Sequence, residues 1–371
     1  MNKGLVILAA GGTGGHLFPA QALAEVLGAR GYVVHLMTDE RVRDYGKNFP
    51  ASETHLIASA SPSFSKPLQV PGRGFKLLRG YLKARSLMKK LKPVAVVGFG
   101  GYPSFPPLFA ARSLKIPTVV HEANAVLGRA NKVLATRVNV VATSFEKTAL
   151  LQDGVKAVFT GNPPRAIVLK QKAAAYVAPK SSGVFNLVVF GGSQGAKFFS
   201  DFMPEVFAAM PATHRKRLHL TQQCRAEDVP VVKARLATLK IKAEISPFFS
   251  DMPKLLAASQ LVICRSGATT VAELGVIGRP AIFVPLPHAI DNDQLRNAQN
   301  FAGAGGGWVI SQGELKATEF AAFLVRLMDN SATLKKAARD ALAQGVPDAP
   351  SKLADVVEGL VSKDEVGAIR Q

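Results

Sequence analysis

Gly11-Gly12-Thr13-Gly14-Gly15-His16 lies between an apolar run, residues 5–10, and a segment whose apolar residues recur at helical spacing. This order predicts a buried strand, a glycine-rich turn and a helix N-terminus. Glycine lets the backbone approach a ligand closely, and the helix dipole favours negative charge at its N-terminus. Four glycines, a hydroxyl and an imidazole exceed what a plain connection needs, so the stretch predicts a phosphate or anion site.

Two familiar nucleotide-binding patterns do not fit this turn. A G-x-G-x-x-G register that starts at Gly12 ends on Leu17, and one that starts at Gly11 has Thr13 as its second glycine position. No Gly-Lys-Ser/Thr closes the turn, as a Walker A loop would require. The spacing therefore disfavours a nicotinamide oxidoreductase and a P-loop enzyme.

The composition favours a globular protein of two domains. With 371 residues the chain is long for a single core, and 48% of its residues are hydrophobic. Cys224 and Cys264 lie in or beside apolar runs, so we expect buried thiols and no disulfide framework. No apolar run has the length of a signal sequence or the ~20 residues that span a bilayer. We therefore expect a soluble or peripheral protein.

The net charge of +20 calls for an acidic partner. Residues 54–121 contain no Asp or Glu, and within them apolar and basic residues alternate at helical spacing. The pattern is typical of a helix on an anionic membrane surface, although a core-packed helix with a solvated basic face would look the same. The few aromatic residues and the absence of recognition motifs argue against nucleic acid. The apolar residues of this predicted membrane face are Phe75, Leu78, Tyr81 and Leu82.

Strand-like runs alternate with helical patterns along the chain, which is typical of parallel α/β architecture. The opening pattern returns where residues 186–190 lead into Gly191-Gly192-Ser193-Gln194-Gly195-Ala196. Two similar openings predict two Rossmann-like domains with parallel sheets facing across a cleft, and residues 166–182 are the predicted linker. The predicted strands are residues 5–10, 33–37, 94–97, 118–120, 138–142, 157–159, 186–190, 217–221, 242–245, 261–264 and 281–284.

Several strands are followed by glycine-rich or polar turns. Because ligands bind at the carboxyl ends of parallel strands, the turns at 98–104, 121–124 and 161–165 are expected to converge with Gly11–His16. In the second half, residues 265–270 begin a helix with small and hydroxyl side chains, and Glu273 follows one turn later. This is a second predicted anion site, with a carboxylate that suits a ribose or sugar diol.

Asp291-Asn292-Asp293 has the Asp-x-Asp form that holds a divalent metal in some nucleotide-sugar enzymes. It lies at a predicted helix start, where acidic residues are favoured in any case. The glycine-rich loops and helix dipoles already supply positive potential. We therefore predict no cofactor and a metal-independent reaction.

Seven motifs, in order and spacing, are similar to those of the MurG family of bacterial peptidoglycan synthesis, whose members are glycosyltransferases of GT-B fold. They cover the chain from its first strand to about residue 300. The motifs are Gly11–His16, Gly100–Tyr102, His121–Asn124, Gly161–Pro163, Gly191–Ala196, Cys264–Glu273 and Pro287–Ala289 with Gln294.

The resemblance implies inverting transfer of N-acetylglucosamine from UDP-GlcNAc to the C4 hydroxyl of the muramyl sugar of lipid I, giving lipid II. It implies an acceptor domain at residues 1–164, on which residues 346–371 pack back, and a UDP-GlcNAc domain at residues 165–345. Its other implications are peripheral attachment to the cytoplasmic face of the bacterial inner membrane and contacts with other cell-wall synthesis proteins. Another GT-B nucleotide-sugar enzyme with a membrane lipid acceptor is the alternative, and a basic binding protein without catalysis would leave the strand-end loops unused.

The resemblance also implies roles for individual residues. His16 is the first candidate for the base that activates or orients the acceptor, with Glu122, Tyr102 and His121 as alternatives; a protonated His16 could instead stabilise the diphosphate. Glu273 is expected at the ribose, and Ser193 with residues 268–270 at the phosphates. The chain departs from the family pattern at Asp293, where the family usually has His, and at Phe249, which is larger than usual near the uracil. The implied donor-binding residues are Thr13, Gly14, Gly15, Asn124, Arg165, Ser193, Phe249, Ala268, Thr269, Thr270, Glu273 and Gln294.

Overall fold

The computed structural model describes residues 3–11, 14–41, 49–60, 70–172, 174–287 and 289–369. Within them, the side chains of residues 70, 71, 193–196, 290 and 363–369 are not described. The described residues form two compact α/β units, Met1–Arg165 with Val346–Gln371, and Ala166–Gly345. In this part of the chain, no helix is both long and apolar enough to cross a bilayer.

Strands and helices alternate as the hydrophobic pattern predicts. The strands are β1 Leu5–Ala9, β2 Val33–Thr38, β3 Glu53–Leu56, β4 Ala95–Gly98, β5 Thr118–Glu122, β6 Val140–Thr143, β7 Ala157–Phe159, β8 Phe185–Phe190, β9 Leu218–Gln223, β10 Lys242–Ser246, β11 Leu261–Cys264, β12 Ala281–Phe283 and β13 Gly307–Val309. The α-helices are α1 Gly14–Ala29, α2 Val70–Leu91, α3 Phe105–Ser113, α4 Arg129–Ala135, α5 Ala166–Leu169, α6 Gly192–Ala209, α7 Ala212–Arg215, α8 Val229–Thr238, α9 Met252–Ala258, α10 Ala268–Ile277, α11 Asp293–Gly303, α12 Ala317–Asp329, α13 Ser331–Ala343 and α14 Ala349–Ile369.

The first unit contains a parallel sheet with the strand order β3-β2-β1-β4-β5-β6-β7 among the described residues. The chain runs outward from β1 to β2 and β3, and then returns to the other side of β1 with β4. The register pairs Ala9 with Gly98, so β1 and β4 end side by side. This reversal of strand order is the position at which open α/β sheets bind ligands.

The second unit repeats this arrangement in a described sheet with the order β10-β9-β8-β11-β12-β13. Here the reversal lies between β8 and β11, and the register pairs Phe190 with Cys264. The ends of both strands lead directly into helices. The two-sheet parallel α/β fold predicted from the sequence is confirmed.

The C-terminal helix α14 belongs to the first unit. Leu353, Ala354 and Val357 are fully buried in the core that also contains Leu23 and Leu27 of α1. At the edge of this contact, Arg30, which directly follows α1, donates at 2.6 Å to the carboxylates of Asp355 and Glu358. Burial of apolar surface stabilises by ~25 cal/mol per Å2, so the buried apolar side chains of α14 contribute most to its packing on the first unit.

The structure corrects two predictions made from sequence pattern. Strands β3 and β13 were not predicted, because β3 is a mostly exposed edge strand and β13 is a short edge strand that begins with glycine. The predicted linker, residues 166–182, packs within the second unit: it begins with α5, and Tyr176 donates its hydroxyl to the Gln260 carbonyl at 2.9 Å. The linker prediction was wrong because a short Ala-rich and Lys-rich segment carries little periodic signal.

Candidate active site

The loops that follow β1 and β4 meet around His16, the third residue of α1. Gly100 and Gly101 have φ values of 80° and 68°, which side chains rarely adopt. A Cβ on Gly100 would lie 3.5 Å from His16 Nε2, and one on Gly101 would lie 3.3 Å from His16 Cε1. Glycine is therefore needed here both for the backbone conformation and for close contact with the imidazole.

His16 is half-buried and is held through Nδ1, which lies 3.3 Å from the carbonyl oxygen of Gly11. Burial lowers the pKa of His16, and the Gly11 contact raises it while Arg41 lowers it. At neutral pH the ring is therefore mainly uncharged. If Nδ1 carries the proton to Gly11, Nε2 has a free lone pair, as a general base requires.

His121 is fully buried at the end of β5. Its Nε2 lies 3.2 Å from both the Gly161 carbonyl oxygen and Ser144 Oγ, and its Nδ1 has no hydrogen-bond partner within the described chain. Burial lowers the pKa of His121 to about 4, the Gly161 contact opposes this, and the nearby His16 adds to it. His121 is thus a neutral ring that supports the strand-end loops.

Glu122, the last residue of β5, is also buried, and both its carboxylate oxygens are occupied. Oε1 accepts from the backbone N–H and side-chain amide of Asn124 at 2.9 and 3.2 Å. Oε2 accepts from the Gly128 N–H at 2.9 Å and from Asn131 Nδ2 at 2.8 Å. Burial raises the pKa of Glu122 and these four donors lower it. The carboxylate therefore fixes the loop between β5 and α4.

The remaining predicted residues of the first unit lie near the same strand ends. Gly14 and Gly15 are the first residues of α1, and Arg165 stacks on Phe18 of that helix with its Cζ 4.8 Å from the ring centre. Tyr102 lies in the 3-10 turn before α3 and lines a cavity of about 730 Å3. Asn124 is the partner of Glu122 described above, whereas Thr13 lies outside the described residues.

In the second unit, the ends of β8 and β11 present two neighbouring helix N-termini. Gly191 precedes α6 and Gly267 precedes α10, and neither helix start has a side-chain cap. The first N–H groups of such helices have no partner within the helix and attract anions. Thr269 Oγ1 in the first turn of α10 is buried and has no hydrogen-bond partner in the described part of the chain. Glu273 is buried on the next turn. The side chain of Ser193 is not described.

Gln294 and Phe249 lie in separate loops of the second unit. Gln294 Oε1 accepts from the Leu286 N–H at 3.0 Å, and the Gln294 backbone carbonyl accepts from Ser266 Oγ at 2.7 Å. These contacts hold the start of α11 against the segment that precedes α10. Ala268 and Thr270 lie in the first turn of α10. Phe249 is half-buried in the loop that follows edge strand β10.

Three residues that support these loops were not singled out from the sequence. Asn131 contacts Glu122 and Ser144 contacts His121, and the local sequence carries no signal that singles out either residue. Arg265 is buried and donates to the Val284 and Pro285 carbonyls at 2.9 and 3.0 Å and to Gln312 Oε1 at 2.6 Å. An arginine directly after a buried strand could have indicated this role.

Helix α2 carries the predicted membrane face. Its buried side packs closely: a Cβ on Gly80 would collide with the backbone of Ala58. Phe75, Leu78 and Leu82 are 69%, 53% and 55% exposed, whereas Tyr81 is half-buried beside a cavity of about 520 Å3. Large apolar side chains this exposed are unusual when they occur together, and they mark interaction surfaces.

Family models match most of the chain. The glycosyltransferase family 28 N-terminal domain matches residues 6–143, and the family 28 C-terminal domain matches residues 186–353. The chain is 48% identical over 371 residues (100% of this chain, 99% of the relative) to the UDP-N-acetylglucosamine–N-acetylmuramyl-(pentapeptide) pyrophosphoryl-undecaprenol N-acetylglucosamine transferase of Mesorhizobium japonicum. It is 50% identical over 97% of its length to the Agrobacterium fabrum protein of that name, of which 95% is covered.

Solved structures agree with this relationship. The crystal structure of Acinetobacter baumannii MurG has 30% sequence identity and a TM-score of 0.79, covering 96% of this chain and 99% of that one. A putative UDP-N-acetylglucosamine 2-epimerase from Listeria monocytogenes, 14% identical with a TM-score of 0.70 over 98% of both chains, shares the fold alone. By family models, full-length relatives and fold, the chain belongs to glycosyltransferase family 28 and, within it, to the MurG family.

Proposed function

We propose that this protein transfers N-acetylglucosamine from UDP-GlcNAc to the C4 hydroxyl of lipid I, with inversion, and so forms lipid II for peptidoglycan. The observation that carries the proposal is identity of 48–50% over at least 97% of the chain with transferases named for this reaction. The strand ends of β1 and β4 in the first unit, and of β8 and β11 in the second, carry the residues that this reaction needs.

The donor binds mainly to the second unit. The helix N-termini after Gly191 and Gly267, which no side chain caps, point N–H groups to where a diphosphate needs charge stabilisation. The Thr269 hydroxyl has no hydrogen-bond partner among the described residues and can donate to a phosphate oxygen. Glu273 accepts hydrogen bonds from the ribose hydroxyls. The family resemblance adds to the donor site Ser193, Phe249, Ala268, Thr270 and Gln294 of the second unit and Thr13, Gly14, Gly15, Asn124 and Arg165 of the first.

The acceptor binds to the first unit, where His16 is the general base. Its lowered pKa keeps the ring neutral at physiological pH, and its Nδ1 contact with Gly11 orients it. Glu122 suits this role less, because its two oxygens already accept four hydrogen bonds. We therefore assign Glu122 and His121 to positioning the loops, and Tyr102 to lining the acceptor cavity.

Transfer proceeds without a metal ion. The leaving UDP acquires negative charge, which the unpaired helix N–H groups can stabilise without reorganising. Asp293, in the Asp-x-Asp sequence, accepts the N–H of the following residue at 2.7 Å, as an acidic residue at a helix start commonly does.

The enzyme works on the cytoplasmic face of the inner membrane, where its lipid acceptor is held. The exposed apolar residues of α2 enter the interface, and its many basic residues attract anionic headgroups at ~1 kcal/mol per Lys or Arg near the surface. Other cell-wall synthesis proteins are the partners that such a location would favour.

Transfer of labelled GlcNAc from UDP-GlcNAc to a short-chain lipid I analogue, with and without EDTA, tests the proposal. We expect a lipid II product in both samples. Product that is lost with EDTA and restored by Mg2+ would overturn the metal-free mechanism. If the protein binds UDP-GlcNAc but forms no product, the assigned acceptor is wrong.

A further inference from the structure

Three potential metal ligands lie together on β2 and the edge strand β3. The register pairs His35 with Glu53 and Met37 with His55. Because side chains alternate along a strand, His35, Glu53 and His55 lie on the same face of the sheet. His35 is three residues before the end of β2, so this cluster is separate from the strand-end loops described above.

The nitrogen atoms are close to the spacing of ligands around one ion. His35 Nδ1 lies 3.1 Å from His55 Nε2, and Glu53 Oε2 lies 3.9 Å from His35 Nδ1. Two ligand atoms bound tetrahedrally to Zn2+ at ~2.0–2.1 Å lie about 3.3 Å apart. In the described part of the chain, no other three such side chains bring their ligand atoms within 4.8 Å of one another.

Burial and access also suit an ion. Both imidazoles are buried, at 8% and 9% exposure, whereas the Glu53 side chain is 59% exposed at the sheet edge. Burial holds the two imidazole nitrogens in place. The Glu53 oxygens lie 3.9 Å from His35 Nδ1 and 3.6 Å from His55 Nδ1, so the exposed carboxylate completes the set by a side-chain rotation towards His55 Nε2. Solvent can provide the fourth ligand from the same side.

We propose that His35, Glu53 and His55 form a binding site for Zn2+ that links the edge strand β3 to β2. In the metal-free protein the two rings share one hydrogen bond, which needs one donor and one acceptor nitrogen. On binding, the donor ring moves its proton to its other nitrogen, and both facing nitrogens coordinate the ion. The Glu53 carboxylate neutralises one of the two positive charges of the ion. It also offsets the positive charge of nearby Lys83.

Metal titration of the untagged, full-length protein tests this site. After removal of metal by chelator, Zn2+ is titrated by calorimetry and Co2+ by its visible absorption. We expect one bound ion per chain and a rise in Tm, because the ion binds only the folded arrangement. His55→Gln should weaken binding by ~100-fold or more and Glu53→Gln by at least ~10-fold, because loss of a residue that merely orients a metal ligand already costs ~10–100-fold.

His219→Gln is the matched control, because His219 is a half-buried histidine on a strand of the other sheet. It should leave Zn2+ affinity unchanged. Glu53→Gln alters an exposed side chain, so its effect on affinity can be read even if His55→Gln fails to fold. Absence of saturable Zn2+ binding in the wild type, or affinity that Glu53→Gln leaves unchanged, would overturn the proposal.

Discussion

Replacing Gly101 by Ala tests whether the position of His16 controls transfer. Gly101 has φ 68° and ψ 169°, a backbone conformation that is essentially restricted to glycine. The new Cβ would lie 3.3 Å from His16 Cε1 and 3.5 Å from His16 Nδ1. The substitution therefore strains the backbone and pushes the imidazole by a few tenths of an ångström.

The two effects have separate magnitudes. Backbone strain of this kind costs about 1–3 kcal/mol, so the free energy of unfolding of the first unit should fall by about 2 kcal/mol. For a domain of this size, that corresponds to a Tm decrease of roughly 4–8 °C. Because a 1 Å misplacement can cost ~100-fold in rate, the smaller displacement should lower kcat by ~10-fold. The KM for UDP-GlcNAc should remain near the wild-type value, because Gly101 is not among the implied donor-binding residues and most of those lie in the second unit.

Steady-state transfer to the lipid I analogue and thermal unfolding measure these quantities. Gly154→Ala is the control, because Gly154 has a similar φ of 76° and nothing within 4 Å of a Cβ. It should lower Tm through strain but keep the wild-type kcat. If Gly101→Ala loses stability yet keeps its kcat, or if Gly154→Ala loses kcat equally, the assignment of His16 is refuted.

Three further experiments test the pH dependence of transfer, the binding to membranes and the stability of the second unit. His16 must be unprotonated to act as a base, and burial lowers its pKa below that of an ordinary histidine, so kcat/KM should fall only in the acidic range. His16→Gln should remove this acidic limb with ~100-fold or greater loss of rate. An unchanged pH profile in His16→Gln would assign the base elsewhere. Serine substitution on the exposed face of α2 should reduce sedimentation with anionic liposomes and leave UDP-GlcNAc affinity unchanged; equal liposome binding would contradict the membrane proposal. The residues to change together are Phe75, Leu78 and Leu82. Arg265→Lys should lower the free energy of unfolding of the second unit by about 3 kcal/mol in urea, because an ammonium group cannot reach all three acceptors of the Arg265 guanidinium. Arg326→Lys, at an exposed position, is the control and should have little effect.

The sequence by itself determined the parallel α/β fold and the family. Runs such as residues 5–10 and 187–190 are continuously apolar because both faces of a parallel sheet are covered. The glycines at 11–15 and at 191–195 mark the turns that follow them, since local backbone conformation depends on local sequence. The apolar runs and the glycine-rich turns can therefore be recognised without knowing which distant residues they contact.

Only the tertiary structure decided which residues lie close together across the sheets. It brings Gly101 into contact with His16, and Asn131 within hydrogen-bond distance of the Glu122 carboxylate. It also pairs His35 with His55, 20 residues further along the chain. Edge strand β3, on which the His35–His55 pair depends, has no clear hydrophobic alternation because three of its four residues are exposed. Such contacts depend on strand register and helix packing, which arise from many distant residues at once and leave no periodic pattern in the chain.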